Sequence, residues 1–295
     1  MSERAPAPAR VPTAPAPIAV IVCTYHRPGR LVAAVDRIFR QAGTDQQYVI
    51  VVNDGSRDEG RTEAAIAALG EQHGRRLVAV HHPVNTGVAA ARSTGVAAAV
   101  AHGAHVLCFH DDDDYWDEHR LVRGYAPFAD PAVALTFGEQ LKISDAIHSR
   151  HEIVELWSAP SRGYRSSLLD ALIRGRVYFP FQTAMIRTDL CGPLLPFKDV
   201  PESEDLDFVL RAWAVIERTP GLSAVRLPEI LAYHVGSADS LSYRDENRSI
   251  RSQVHREILA EHMPRPVVDL AFALSNRVLR PLARRIGRAQ EHASA

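Results

Sequence analysis

Four short apolar runs, each followed by a polar loop, constrain the fold of this chain more than any other feature of its sequence. These runs have the length of buried strands and span residues 18–23, 49–52, 77–80 and 106–109. Segments with helical spacing or composition lie between them, at residues 30–41, 62–69 and 88–101. This alternation predicts an α/β fold in which helices cover a mostly parallel sheet through right-handed crossovers.

The second half of the chain has a less regular pattern. It predicts a mixed order of elements, with helices at 117–128, 166–175 and 205–216 and strands at 133–137 and 183–187. The last of these helices has the strongest pattern, because its apolar residues share one face. We expect residues 137–201 of this half to determine which second ligand binds, although they contain no motif with a known mechanism.

Composition excludes some classes of protein. A formal net charge of -1 provides no chain-wide basic field, so we expect no nucleic-acid partner. The widely spaced cysteines Cys23, Cys108 and Cys191 favour buried, reduced thiols and a cytoplasmic protein. No apolar run has the length of a membrane span. Residues 1–17 form an Ala- and Pro-rich leader without a signal-peptide core, and we expect it to be disordered.

A run of four aspartates, Asp111 to Asp114, follows the fourth apolar run directly. Neighbouring carboxylates repel one another, so the run suits a site for a divalent cation. Oxygen-only ligands favour magnesium or manganese over zinc. Ligands bind at the carboxyl ends of strands in open parallel sheets, which makes this a candidate active site. The alternative is an acidic surface turn that caps a helix beginning near Asp117.

Further polar motifs follow the other apolar runs. They read TYHRP at residues 24–28, NDGS at 53–56 and NTG at 85–87, the last with Arg92 in the helix behind it. Two later motifs are EDLD at 204–207 and His234 in YHVGS. In this order and spacing the motifs closely resemble the family 2 glycosyltransferases of the GT-A fold. The resemblance covers residues 18–245.

The resemblance implies an inverting glycosyltransferase that uses a nucleoside-diphosphate-sugar donor. Thr24, Tyr25 and Arg27 would then belong to the donor site, with Thr24 and Tyr25 framing the base. Asp54 would accept hydrogen bonds from the base or ribose, which favours a UDP- or dTDP-linked donor with an imide N–H. Arg92 would meet the diphosphate, a task that suits a bidentate guanidinium. The alternative for Arg92 is a solvated helix arginine.

The D-x-D pattern of the family falls on Asp111 and Asp113. By the resemblance, Asp111 would contact the ribose or support the metal, and Asp112 would lie in the donor site. Asp113 would ligate Mn²⁺ or Mg²⁺ between the phosphates. His234 resembles the late family histidine that reaches the metal or the diphosphate, with a structural histidine as the alternative. His110, where the family more often has an apolar residue, is expected to be a core residue.

Glu204 and Asp205 match the acidic pair that the family has at a helix start. Asp205 is the expected general base that takes the proton of the acceptor hydroxyl. Adjacent carboxylates raise one another's pKa, which suits a base that works near neutral pH. The alternative is that these acids only stabilise the dipole of the helix in its first turn.

The resemblance divides the chain into three parts, which are the leader at residues 1–17, a GT-A domain at 18–245 and an extension at 246–295. Within the GT-A domain, a nucleotide-binding half is predicted at 18–116 and an acceptor-binding half at 117–245. Two other functions remain open, a nucleotidyltransferase acting on a sugar phosphate and a non-catalytic nucleotide-sugar-binding module. The first is disfavoured because residues 24–29 lack the Gly-rich loop that cradles a triphosphate.

Residues 246–295 are predicted to form a helical, basic C-terminal extension. From residue 248 onward this extension has nine arginines and four acids. A basic amphipathic helix can lie on an anionic membrane, but packing against its own domain is commoner and is the arrangement we favour.

No motif identifies the acceptor, which is expected to be a saccharide, a lipid-linked molecule or a small molecule. Cell-envelope or polysaccharide biosynthesis, in the cytoplasm or at the inner face of the membrane, is the expected setting.

Overall fold

The structure is a computed structural model, and it describes four main segments at residues 18–144, 153–157, 181–200 and 203–236. It also describes residues 253–254, 256–261, 265–266 and 268–269 of the C-terminal extension. The predicted leader at 1–17, the predicted helix at 166–175 and most of the predicted extension lie outside the described residues.

The first half of the chain forms the predicted alternation. Its strands are β1 (Ile18–Thr24), β2 (Gln47–Asn53), β3 (Leu77–His81) and β4 (Val106–Phe109). Its helices are α1 (Pro28–Phe39), α2 (Arg61–His73) and α3 (Val88–Ala101). The four strands are parallel and lie in the order β3-β2-β1-β4. The predicted α/β architecture is therefore confirmed.

The second half adds antiparallel pairings and makes the sheet mixed. Its elements are β5 (Tyr115–Trp116), α4 (Arg120–Tyr125), β6 (Val133–Ser144), β7 (Ile153–Trp157), β8 (Met185–Arg187), α5 (Glu204–Arg218) and β9 (Ser223–Gly236). Among the described residues the sheet has the order β3-β2-β1-β4-β8-β6-β9-β5, and β7 pairs with β6. Strand β8 is antiparallel to β4 and β6, whereas β9 is parallel to β6.

Several elements differ from the sequence prediction. Strands β5 and β7 have no predicted counterpart, and the strand predicted at 183–187 is limited to β8. The helix predicted at 117–128 is limited to α4, because the N–H of Asp117 still donates to the carbonyl of Leu231 and residues 126–129 form a separate 3₁₀ turn. Strand β6 continues well beyond the predicted 133–137. Strand β9 has no predicted counterpart, because Pro228 and repeated register shifts against β6 break the alternation that marks a strand.

The hydrophobic core lies on both faces of the sheet. Alternate residues of β1 enter two clusters, since Ala19 and Ile21 pack with α3 and α5 while Val20 packs with α1 and α2. Helix α3 approaches β1 so closely that a Cβ on Gly95 would lie 2.4 Å from Cγ2 of Ile21. This contact fixes the helix that carries Arg92.

Described residues of the C-terminal extension are helical, and Ile258 and Leu259 are buried in the same cluster as the apolar face of α5. This part of the extension therefore packs against the domain. In the part of the chain that the structure describes, no helix is long and apolar enough to cross a bilayer.

Candidate functional site

The polar motifs after β1, β2 and β4 lie side by side at one edge of the sheet. Thr24 at the end of β1 pairs in register with Asn53 at the end of β2. Just after β4, the N–H of His110 donates to the carbonyl of Ile21 over 2.9 Å. The aspartate run therefore begins next to the loop that follows β1, at the edge where an open parallel sheet binds its ligand.

Asp111 is held from two sides. Nη2 of Arg92 donates to Oδ1 of Asp111 over 3.0 Å, and Nε2 of Gln182 donates to Oδ2. The N–H of Asp111 also donates to Oε1 of Gln182 over 3.3 Å. The carboxylate consequently has a defined orientation, although its side chain is 43% exposed and accessible to a ligand.

Arg92 connects the aspartate run to the acidic pair of α5. Besides its contact with Asp111, its Nη1 donates to Oε1 of Glu204, and the side chain is only 7% exposed. The ring of Phe181 lies 4.8 Å from the guanidinium carbon. Burial opposes the charged form, but Asp111 and Glu204 raise the pKa of Arg92 above its ordinary value. The partners that hold Arg92 in this structure are thus carboxylates.

Glu204 and Asp205 form the first turn of α5, as predicted. Ser203 before them has a left-handed backbone with φ of 72°, which turns the chain into the helix. Burial raises the pKa of Glu204 to about 7, with Arg92 opposing the shift. Burial also raises the pKa of Asp205, again against Arg92. The two carboxyls therefore titrate as a pair, above the ordinary carboxyl range.

Two arginines reach the middle of the aspartate run. Nη1 of Arg27 lies 3.1 Å from Oδ1 of Asp112 and 3.3 Å from Oδ2 of Asp113. Nη1 of Arg30 lies 3.3 Å from the same Oδ2. Asp112 is buried, which raises its pKa to about 6 even beside Arg27. Asp112 anchors the loop through Arg27. The more exposed Asp113 forms ion pairs with both Arg27 and Arg30.

His234 lies beside the last residue of the run. Its Nδ1 is 3.0 Å from Oδ1 of Asp114, so the contact joins the turn after β4 to β9. Burial raises the pKa of Asp114 to about 6, with His234 opposing the shift. The structure thus places His234 against Asp114, one residue beyond the expected metal ligand Asp113.

Asp54 organises the loop that follows β3. Its Oδ1 accepts hydrogen bonds from the N–H and the hydroxyl of Thr86 at 2.9 and 2.8 Å, and it lies 2.8 Å from Nδ1 of His82. Its Oδ2 accepts from the N–H of Gly87 at 2.9 Å. Burial opposes the shift, but these bonds hold the pKa of Asp54 below its usual range. A Cβ on Gly55 would lie 2.2 Å from the backbone of the same loop, so the two loops form one unit.

The remaining predicted donor residues differ in exposure. Tyr25 is 45% exposed, whereas Thr24 is buried and its hydroxyl has no hydrogen-bond partner among the described residues. A base at this edge could therefore contact Tyr25, whereas the buried Thr24 is not accessible to it. His110 is buried as expected, with its ring 4.5 Å from that of Trp116, and burial lowers its pKa to about 4.

The two partly exposed carboxylates of the run, Asp111 and Asp113, have the right chemistry for a hard divalent cation. Asp111 and Asp113 offer only oxygen donors, and Mg²⁺ commonly binds one or two carboxylates together with substrate phosphates. Within the described ranges, no group of three or more histidine, cysteine or acidic side chains could hold a metal alone. A cation would therefore need oxygens from the donor, and it would share these carboxylates with Arg92, Arg27 and Arg30.

Sequence reasoning misses three residues of this site. Gln182 lies in a region without a recognisable motif, and no local signal points to it. Arg30 could have been found, because it follows Arg27 by one helical turn. His82 joins Asp54 to Thr94 through its two ring nitrogens, an arrangement that only the tertiary structure brings together.

The fold, with carboxylates at its strand ends, is that of the GT-A class of glycosyltransferases. TarS of S. aureus (residues 1–349) has a TM-score of 0.58 and 17% identity, over 88% of this chain and 70% of that chain. The mannosyltransferase PcManGT from Pyrobaculum calidifontis, solved with GDP-Man and Mn²⁺, has a TM-score of 0.58 and 19% identity, over 97% and 83%. The predicted fold is confirmed by these likenesses.

The chain belongs to glycosyl transferase family 2, whose family model matches residues 19–192. An uncharacterized glycosyltransferase of Nostoc sp. is 32% identical over 106 residues, which are 36% of this chain. The matched segment spans only 31% of that relative. The family inferred from the motifs is therefore confirmed.

Proposed function

We propose that this protein transfers a sugar from a nucleoside-diphosphate sugar to an acceptor hydroxyl, with inversion and with a divalent metal. The observation that carries the proposal is the buried connection from Asp111 through Arg92 to Glu204. The guanidinium of Arg92 contacts both Asp111 after β4 and Glu204 of the acidic pair of α5, so these carboxylates lie close together. A donor and a base can therefore meet at one edge of the sheet, and membership of the family supports the reaction class.

Asp205 is the proposed general base. Burial raises its pKa, and a carboxylate with a raised pKa can accept a proton from a hydroxyl near neutral pH. Glu204 is engaged with Arg92 and would orient the first turn of α5 rather than accept that proton. Arg92 would balance the charge of this pair and of Asp111.

Asp111 and Asp113 are the residues that would hold Mn²⁺ or Mg²⁺, with His234 acting through Asp114. When bound, the metal neutralises the charge that builds on the departing nucleoside diphosphate. The side chains of Arg27 and Arg30 are about 40% exposed and lie beside Asp113, whereas that of Arg92 is buried. These two arginines are therefore better placed than Arg92 to contact a diphosphate.

A UDP- or dTDP-linked donor is the proposed substrate. Asp54 would act on the base mainly through the loop that it orders around Thr86 and Gly87, and Tyr25 would contact the base directly. TarS has been solved with UDP-GlcNAc and PcManGT with GDP-Man. The fold therefore accommodates more than one base, and the choice depends on these loop contacts.

A saccharide, lipid-linked or small-molecule acceptor is proposed, with action in the cytoplasm. The C-terminal extension is proposed to pack against the domain, as Ile258 and Leu259 do, and peripheral membrane contact is the alternative. The support for membrane contact is the excess of nine arginines over four acids from residue 248 onward. Stronger retention of the full chain by vesicles containing anionic lipid than by neutral vesicles would support membrane contact, and equal retention would support packing alone.

The proposal is tested by thermal unfolding with UDP, dTDP, GDP and their sugars, each with and without Mn²⁺. A ligand that binds only the folded state raises the melting temperature, and we expect metal-dependent stabilisation by one nucleoside diphosphate. Stabilisation by a nucleoside triphosphate alone would indicate a nucleotidyltransferase. Binding of a nucleotide sugar that is neither hydrolysed nor transferred would indicate a binding module, and no stabilisation at all would contradict the proposal.

A further inference from the structure

We infer that Gln182 is a positioning residue that orients the carboxylate of Asp111 for the donor. The inference rests on the proposed function, because it concerns the same donor site. Gln182 lies in a 3₁₀ turn at Phe181–Thr183, directly before β8. Its amide contacts Asp111 through both of its polar atoms, since Nε2 donates to Oδ2 and Oε1 accepts from the N–H.

The main chain of Gln182 is anchored independently of its side chain. Arg120 is fully buried, and its Nε and Nη2 lie 3.4 and 3.2 Å from the carbonyl oxygen of Gln182. Nη2 also donates to the carbonyl of Ala184 over 2.8 Å, and the guanidinium lies 4.4 Å from the ring of Trp116. The turn that presents the amide is therefore held in place even when the amide itself is removed.

Gln182 and Arg92 each bind a different oxygen of the Asp111 carboxylate. Arg92 takes Oδ1 and Gln182 takes Oδ2, so each oxygen has its own donor and rotation of the carboxylate is opposed. Gln182 is 3% exposed, so its amide is a fixed donor. Water at the partly exposed Asp111 would not hold Oδ2 in one orientation. Without the amide, Asp111 would be held at one oxygen only, and a ligand that needs a fixed carboxylate would bind more weakly.

A double-mutant cycle on the full chain separates positioning from packing. Gln182→Met keeps the volume of the side chain and removes the amide, and Asp111→Asn removes the carboxylate that it orients. The measurement is the Kd of UDP with Mn²⁺ by calorimetry. We expect Gln182→Met to weaken binding about tenfold in the wild-type background and less than about twofold in the Asp111→Asn background.

Gln41→Met is the matched control. Gln41 is also a buried glutamine whose amide contacts the main chain, at the carbonyl of Asp117 and the N–H of Leu121. The control should leave the Kd unchanged. Gln182→Glu, which keeps the shape and places a like charge against Asp111, is the second variant and should weaken binding at least as much as Gln182→Met.

Equal weakening by Gln182→Met in both backgrounds would show a packing role and would overturn the inference, as would an unchanged Kd. Neither result would affect the proposed function, which the binding of UDP by the wild-type protein tests separately. Failure of the wild-type protein to bind any nucleoside diphosphate would contradict the proposed function, and the inference with it.

Discussion

Nη1 of Arg92 donates a hydrogen bond to Oε1 of Glu204 across 112 residues of sequence. Arg92 lies in helix α3 of the first half of the chain, and Glu204 begins helix α5 of the second half. Because Arg92 also binds Asp111, one buried guanidinium joins the two groups of carboxylates on which the proposed chemistry depends.

Arg92→Lys should impair both folding and turnover. An ammonium group lacks the planar fork that reaches Asp111 and Glu204 together, so one of these two carboxylates loses its partner. We expect a loss of about 3 kcal/mol in the free energy of unfolding. The transfer rate should fall about a hundredfold, or close to 3 kcal/mol in the barrier. Urea unfolding and initial transfer rates measure these effects, and the same change at the exposed Arg40 is the control. Unchanged stability and rate in Arg92→Lys would exclude the role of Arg92 in joining Asp111 to Glu204.

Asp205→Asn should abolish transfer while UDP with Mn²⁺ still binds, because the amide cannot accept the acceptor's proton. Asp207→Asn is the matched variant in the same helical turn. Asp207 is buried and its Oδ2 accepts from Nε of Arg211 over 2.8 Å, so this change should lower stability and leave kcat of the folded protein nearly intact. Near-normal kcat in Asp205→Asn would show that the base is another residue.

The acid limb of kcat/KM should lie well above the ordinary carboxyl range. Burial raises the pKa of Asp205, and it raises that of Glu204 to about 7, so the pair takes up protons at a higher pH than ordinary carboxyls do. In Glu204→Gln the neighbouring negative charge is gone, and the limb should move to lower pH. An acid limb that stays in place in Glu204→Gln would argue against coupled titration.

Arg30→Gln should strengthen Mn²⁺ binding in the absence of nucleotide. Arg30 donates to Oδ2 of the partly exposed Asp113, so a cation has to compete with its charge. We expect a gain of about threefold in affinity, as for one partly screened charge. Paramagnetic resonance of free Mn²⁺ measures it, and Arg40→Gln, which removes an equal charge that pairs with Asp36 elsewhere on the helix, is the control. Weaker binding in Arg30→Gln would mean that Arg30 supports the metal site.

His110→Leu should reduce the sensitivity of the fold to acid. Burial lowers the pKa of His110 to about 4, whereas an unfolded histidine titrates near 6.5. As pH falls from 6.5 to 4 the unfolded chain takes up a proton that the native state does not, which costs the wild-type protein roughly 3 kcal/mol. Denaturant unfolding at pH 7 and pH 4 in EDTA measures the difference. Equal acid sensitivity in the variant and the wild type would contradict this assignment, and the exposed His102→Leu serves as the control.

The sequence by itself determined the parallel half of the fold and the family. The runs that became β1 to β4 are apolar and β-branched, and helical segments separate them, so parallel pairing with helical crossovers was the arrangement that buried them all. Parallel strands end at one edge, and for that reason the motifs beginning at Thr24, Asn53 and Asp111 had to converge there.

Only the tertiary structure decided which charges pair. Asp54 binds a loop, His234 binds Asp114, and Arg92 binds two carboxylates. The pairs His234–Asp114 and Gln182–Asp111 span 120 and 71 residues. Such pairs depend on the order of the mixed strands β8, β6 and β9, whose bulges and Pro228 leave no period in the sequence. Local spacing can show that a carboxylate stands at a strand end, but its partner is whichever donor the distant chain buries beside it.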